Sequence, residues 1–508
     1  MKKIDNPRTA IIIGAGIGGL ATGILLAKKG VQVTILEKNK HIGGRANIFV
    51  EKDFVFDMGP SWFLMPDVYE EFFGLIGEKV QDHLDLIRLD PSYRLFFRDD
   101  GSVLDMHSDV ERDKHTFEQL EIGAGEKLKP YLDRTEMQYT IAMKDFVYKN
   151  YDSLFDFLNL RVALKGLRLS VFSNMDTYVS KFFKSDKIAK ILQYMMVFLG
   201  SSPYNTTALY SIMNHIDFNM GVFYPQGGIY EIPKSLGALA EKFGATIRTE
   251  SPVAKINVTD GVATGVRLEN GEVLTADVVI SNADLHFTDT QLTPEPYRLY
   301  SEKYWNKRTI SPSAFIVYLG IDGETPELAH HNLIFSKDWK TNFYQIFDDP
   351  QTPHDPSLYI CAPSITDPSL APSGKSILFL LVPIAAGLAL DEEQTQAFRN
   401  QIIRTIAEEC DMPDLEDRIE FERVYQVQDF QKDYHSYMGS AFGLSHTMDQ
   451  TAFLRPNNTH KKIKNMYFVG ANTNPGIGMP MCLISAELAF KRIYNIKTNG
   501  PLEKKDLE

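Results

Sequence analysis

Apolar and polar positions near the start of the chain change rhythm twice. Residues 10–13, an alanine and three isoleucines, form a short continuous apolar run, the pattern of a buried strand. Over residues 20–28 the apolar positions Leu20, Ala21, Ile24 and Leu25 recur at helical spacing. Residues 31–36 return to a strand pattern that Glu37 closes. A strand is also predicted at 93–97, ahead of a turn at Asp100-Gly101. From residue 113 to about 220 the pattern is mostly helical, with no glycine between Gly125 and Gly166. A turn at 224–229 leads into a helix ending near Phe243, then strands at 245–248 and 253–258. A hairpin pairs 265–268 with 273–274 around Asn270-Gly271. Residues 276–283 repeat the buried-strand pattern, as if the chain re-entered its first sheet. Residues 300–455 predict a β-rich region with helices, one over 391–410. A strand ending at Gly470 and a helix over 482–494 complete the chain, before a charged tail expected to fray.

The first strand–helix–strand unit carries the clearest chemistry. Its turn reads Gly14-Ala15-Gly16-Ile17-Gly18-Gly19, a GxGxxG placed between a strand and a helix. Gly14 permits the tight turn, Gly16 lets backbone approach a pyrophosphate, and Gly19 lets helix and strand pack closely. The helix N-terminus offers N–H groups and a positive dipole end to phosphates. Glu37 stands 23 positions after Gly14, at a strand end, where a carboxylate accepts from a ribose diol. These residues predict a bound dinucleotide, NAD or FAD. A second glycine pair, Gly43-Gly44, follows Lys38 and precedes Arg45, which can add a charge-assisted contact.

The run from Glu37 through Gly43-Gly44-Arg45 to Asp57, Gly59, Pro60 and Ser61 resembles the FAD-binding entry of flavoproteins related to amine oxidases, protoporphyrinogen oxidase and carotenoid desaturases. Near the C-terminus, Tyr467-Phe468-Val469-Gly470-Ala471-Asn472-Thr473-Asn474-Pro475-Gly476-Ile477-Gly478-Met479 is similar to the signature of bacterial-type phytoene desaturases. Asn472, Asn474 and Ile477 depart from that signature, which leaves the exact carotenoid open. Tyr224-Pro-Gln-Gly-Gly228, Asp355-Pro-Ser-Leu-Tyr359, the segment 363–372 and Gln450-x4-Arg455-Pro456 are similar to the same family. The resemblance runs from about residue 9 to 495.

The resemblance implies an α/β chain with a Rossmann-like FAD-binding domain in three layers (β/β/α), a β-rich substrate domain and a mainly helical subdomain that is a candidate for membrane contact. The expected division is 1–75 with 225–295 and 456–497 for FAD, 76–115 with 296–455 for substrate, 116–224 helical and 498–508 a tail. Cofactor contacts are expected at the first turn (Gly14 to Gly19), at Glu37 and Lys38, and at Gly43, Gly44 and Arg45. Further contacts are expected at Gly59, Pro60 and Ser61, at Val253 and Asn282 in the returning strands, and at Gly470, Ala471, Gly478 and Met479. A helix opening near Met481 would present its N-terminus to the flavin ring.

The implied reaction is FAD-dependent desaturation of an acyclic carotenoid precursor such as phytoene, by hydride transfer to flavin N5 and proton loss, with a quinone or oxygen as acceptor. Related alternatives are a desaturase of dehydrosqualene or of a hydroxylated or monocyclic carotenoid, and a carotenoid isomerase. Outside that class stand a flavin amine oxidase and a non-enzymatic prenyl-binding escort protein. A hydrocarbon offers no handle for hydrogen bonds. Asp145, Asp217, His215 and Tyr224 are the titratable groups in regions expected to line the pocket, and no catalytic residue is assigned among them.

Composition narrows the partners. The 508 residues carry a net charge of −13, which argues against nucleic acid. Cys361, Cys410 and Cys482 lie far apart, with neither metal spacing nor a disulfide framework, as expected in a reducing cytoplasm. The longest apolar candidate, 377–390, contains Pro383 and Gly387 and is shorter than the roughly 18–20 residues of a span. It reads as a buried strand and a turn. Residues 154–172 set Arg161, Lys165 and Arg168 on one helical face beside an apolar set. Two readings stay open there, a helix packed on its own protein and one lying in the lipid interface. The expected location is peripheral, on the inner face of the cell membrane.

Overall fold

A computed structural model describes residues 6–151, 173–451 and 454–508. The basic-striped segment 154–172 lies outside the described residues, so neither reading of it is tested.

The apolar run near the N-terminus is the middle strand of a five-stranded parallel sheet. Thr9–Ile13 pairs on one side with Gln32–Leu36 (Ile11 opposite Thr34) and on the other with Val278–Ser281 (Ile12 opposite Ile280). Thr246–Arg248 and Met466–Phe468 form the outer strands. Successive side chains of a strand point to opposite faces, and both faces here are apolar. Ala10 and Ile12 pack under the helices Ile17–Lys28, Glu231–Lys242 and Met479–Tyr494, against residues such as Leu20, Ile24 and Leu483. Ile11 and Ile13 face a three-stranded antiparallel sheet of Val253–Thr259, Val262–Leu268 and Val273–Thr275, meeting Val266 and Leu268. The layers are therefore β/β/α, as the resemblance implies.

The second sheet has seven strands in the order Ile419–Tyr425, Ser313–Asp322, Lys375–Ile384, Leu358–Cys361, His331–Phe335, Tyr93–Phe97 and Ser102–Met106. Ser313–Asp322 is buried at every position but the last, because both faces are covered. Phe315, Val317, Leu319 and Ile321 pack beneath the helix Glu392–Glu409 through Phe398, Ile402 and Ile406. That helix opens with a capping box between Asp391 and Gln394. The alternate residues, Ala314 and Ile316, face the interior between the two sheets. Val110–Leu120, Ala124–Ala142 and Asp186–Gln193 belong to the helical region, whose Tyr139, Ala142, Val197 and Phe198 reach the same interior.

Three boundaries differ from the sequence reading. The first helix begins at Ile17, so Gly18 and Gly19 lie inside its first turn. The last helix opens at Met479, directly behind Gly478. The C-terminal tail is docked rather than frayed. Leu502 and Leu507 are buried, Glu487 accepts from the Leu502 N–H at 2.8 Å, and Lys491 Nζ donates to the carbonyls of Tyr148 and Gly500. The run of charges in 503–508 masked those two leucines. Among the described residues no helix is long and apolar enough to cross a membrane.

Candidate functional site

A cavity of about 1170 Å³ runs between the two sheets. That exceeds the roughly 300–1,000 Å³ of a typical single-ligand pocket. Its two ends differ in kind. At one end the wall is built from glycine turns and strand ends of the five-stranded sheet. At the other it is built from side chains of the seven-stranded sheet and the helical region, among them Ile316, Leu333, Phe335, Leu381, Val197 and Phe198.

The glycine end follows from the first motif. Gly14 has φ +95° and donates to the Leu36 carbonyl at 2.7 Å, which holds the turn against the second strand. A Cβ on Gly19 would lie 2.1 Å from the Gly14 carbonyl oxygen, so this glycine serves the contact between helix and strand. A Cβ on Gly16, Gly18 or Gly470 would come within 2.8 Å of the Asn282 side-chain amide. Three backbone turns from distant parts of the chain thus close around one asparagine. The second glycine pair folds onto the first turn, with Gly43 N–H donating to the Ala15 carbonyl at 2.8 Å.

Gly16 caps the first helix without any side-chain hydrogen bond, and Ile17, Gly18 and Gly44 line the cavity beside it. Glu37 is buried, and its two oxygens accept from the N–H groups of Ala15 and Asn39, both at 2.9 Å. A carboxylate has about four acceptor positions, so two remain for a ligand. Arg45 donates through Nη2 to Ser436 Oγ at 3.1 Å, while its buried Nε has no partner. Lys38 turns outward and donates to the Lys432 carbonyl at 2.9 Å; burial lowers its pKa.

Gly59, Pro60, Ser61, Val253, Asn282, Gly470, Ala471, Gly478 and Met479 also stand on the cavity wall. Of the expected contacts only Ala15 and Gly19 do not, since their roles are to hold Glu37 and to pack the helix. Asp57 anchors the Gly59 segment. Its carboxylate accepts from Ile229 and Tyr230 N–H at 2.7 and 3.0 Å, and burial raises its pKa to about 7.

Several wall residues escaped the sequence reading. Asp284 accepts from the N–H groups of His286 and Phe287 and from Asn472 Nδ2, and burial raises its pKa. Asn472, a departure from the family signature, thereby has a clear task, since its Oδ1 also accepts from Leu444 N–H at 3.0 Å. Asp433, Tyr434 and His435 join the same wall, with the His435 ring stacked on Phe287 at 3.9 Å. Nothing in the spacing marks these residues, because they arrive from separate loops.

None of the four titratable candidates lines the cavity. Asp217 is buried behind it and accepts from Tyr93 and Tyr194 hydroxyls at 2.8 and 3.1 Å; burial raises its pKa to about 7. Tyr224 donates to Asp367 at 3.3 Å, and His215 Nδ1 meets Asn219 Nδ2 at 2.8 Å. Asp145 lies in the π-helical turn Met143–Val147, whose Met143, Phe146 and Val147 do reach the wall. His330, His331 and Cys361 bring three donor atoms within 4.8 Å of one another, a grouping that spacing did not suggest. His331 stacks on Trp62 at 4.1 Å and bonds the Tyr359 hydroxyl, so it packs the apolar wall from behind.

The chain is similar to known proteins over nearly its whole length. The chain is 43% identical over 478 residues to a carotenoid 3,4-desaturase of Haloarcula japonica, covering 94% of this chain and 96% of that one. It is 36% identical to a zeta-carotene-forming phytoene desaturase of Myxococcus xanthus, covering 97% and 95%. Cyclohexylamine oxidase from Brevibacterium oxydans shares the fold with a TM-score of 0.59 at 14% identity, covering 97% of this chain and all of that one. The family model described as flavin containing amine oxidoreductase matches residues 17–493. With nearly its whole length so matched, the chain belongs to the family of flavin-containing amine oxidoreductases.

Proposed function

We propose that this protein is an FAD-dependent desaturase that introduces double bonds into a long acyclic carotenoid precursor such as phytoene. The observation that carries this reading is the cavity itself, polar and glycine-walled at one end and predominantly apolar along the rest. The residues fit FAD. Glu37 would take the ribose hydroxyls with its two remaining acceptor positions. The turn Gly14 to Gly18 and the bare N-terminus of the first helix would meet the pyrophosphate, with the free Nε of Arg45 as a further donor. Gly478 and Met479 open the last helix toward the cavity, without a side-chain cap, where the flavin ring would lie.

Bound FAD supplies the hydride acceptor for the oxidation of a C–H bond. The protein's own part is to bind and to orient the substrate. Leu333, Phe335, Leu381, Val197 and Phe198 offer a polyene apolar contact and no competing hydrogen bonds. An amine oxidase would need polar groups to hold an amine along this wall, and an escort protein has no use for a buried ribose acceptor such as Glu37.

The polyene comes from the bilayer, where each buried CH₂ is worth about 0.8 kcal/mol, so the enzyme works at a membrane surface. A quinone or oxygen re-oxidises the flavin. Co-expression with a phytoene-producing pathway tests the reading. The wild-type chain should replace phytoene with a polyene of longer conjugation, and Leu333→Trp, which fills the apolar end, should not. Unchanged phytoene beside well-expressed, flavin-loaded protein would refute it.

A further inference from the structure

Arg455 is an unusual cation in this molecule. It is 2% exposed, yet every one of its N–H groups ends on a main-chain carbonyl. Nε donates to Thr473 at 3.1 Å, Nη1 to Ser445 and Gln450 at 3.4 and 3.3 Å, and Nη2 to Leu444 and Ala471 at 3.0 and 2.6 Å. A guanidinium has five N–H donors, so all are used and none reaches a carboxylate. Lys190 and Arg399, also buried, are instead paired with acids at 2.8 and 2.7 Å.

The groups that face Arg455 electrostatically are phenols and an imidazole. Tyr210 and Tyr304 are the neighbours that favour its charge, and burial still lowers its pKa to about 10. His446 is held neutral by burial and by Arg455, and its Nε2 accepts from the Ile477 N–H at 3.0 Å. A buried charge without a counter-ion is costly. Two of its carbonyl partners, Ala471 and Thr473, belong to the turn that walls the cavity just before the last helix. An anion on the cavity side of that turn would give this cation its counter-charge.

A ring that accepts a hydride takes two electrons and one proton from the C–H bond that breaks. It gains one negative charge, while the adjacent carbon of the donor releases its own proton to water. We infer that Arg455 is a positioning residue for this charge: through the 470–474 turn it places a fixed positive field against the flavin, raising its reduction potential and favouring the reduced ring without a second proton. This rests on the flavin reading of the cavity and goes beyond it, since it assigns the source of the potential.

The test is the reduction potential of the bound flavin, measured against a reference dye in purified holoenzyme without substrate. Arg455→Gln should shift the two-electron equilibrium at least tenfold toward oxidised flavin, about 30 mV. Arg455→Lys, which keeps the charge but not the five hydrogen bonds, should stay within threefold of wild type. An unchanged potential in Arg455→Gln, or equal shifts in both variants, would show that the residue only ties the two loops together. Should neither variant retain flavin, the wild type decides: its oxidised flavin should lose the N3 proton at a lower pH than free FAD, since a nearby cation favours the ionised ring. Titration at the same or a higher pH would overturn the inference. A wild type that takes up no FAD would instead refute the reading of the cavity.

Discussion

The two ends of the cavity are built by different means. The glycine end is made of backbone: Gly16, Gly18 and Gly470 converge on Asn282 because any side chain there would collide with it. The apolar end is made of side chains, Ile316, Leu333 and Leu381 from three strands of the seven-stranded sheet. A phosphate and a ribose are recognised by a few N–H groups and one carboxylate at fixed spacing. A hydrocarbon is recognised by shape alone, which many sequences can provide. The first end is thus intolerant of small changes, and the second tolerates any change that keeps the space.

The largest break in this contrast comes at Gly16. Gly16→Val would set a Cβ 2.8 Å from Asn282 Nδ2, with two further methyl groups to place beyond it. The variant should purify without flavin absorbance, whereas Leu333→Trp should purify fully yellow. A smaller effect is expected at Glu37. Glu37→Ala removes an acceptor that hydrogen bonds at about 1.5–3 kcal/mol, and FAD binding measured by flavin fluorescence should weaken roughly ten- to hundredfold. Full occupancy at stoichiometric FAD would remove Glu37 from the site.

This contrast also governs what could be read in the sequence. The middle strand, the GxGxxG, Glu37 and the turn at Gly470 were legible because local chemistry fixes both residue type and spacing. The β/β/α layering was implied by the family resemblance, and the apolar residues at every position of 10–13 fit it, since that strand is covered on both faces. Asp284, Ser436 and His435 were not legible as wall or support, because each meets a partner from a loop more than a hundred residues away, and Arg455 was not, because its partners are main-chain carbonyls that no residue type marks. Asp217 misled for the same reason. The sequence puts it in a region expected to line the pocket, yet in the structure it sits behind the wall and holds Tyr93 and Tyr194.

Asp217 gives the smallest expected effect, one confined to stability. Burial raises its pKa to about 7 in the folded protein, above the ordinary 3.8. Between those values the folded state keeps a proton that the unfolded chain has released. Its contribution is complete below pH 4 and is lost as pH rises through 7, with a slope of at most about 1.4 kcal/mol per pH unit. Denaturant unfolding of Asp217→Asn should therefore lack this decline, so the variant gains on the wild type from pH 4 to 7 with flavin content unchanged. Parallel profiles would show that Asp217 is ionised in the folded state.

The central claim is that one cavity brings a polyene and a flavin together so that electrons pass from the first to the second. Anaerobic addition of phytoene in lipid vesicles to the flavin-loaded enzyme tests it most directly, with flavin absorbance as the readout. The account predicts bleaching of the flavin and the appearance of a longer conjugated polyene in equal amount, with no bleaching by simple amines and none in Leu333→Trp. Bleaching by an amine, or a flavin that stays oxidised with phytoene while dithionite reduces it, would contradict the account.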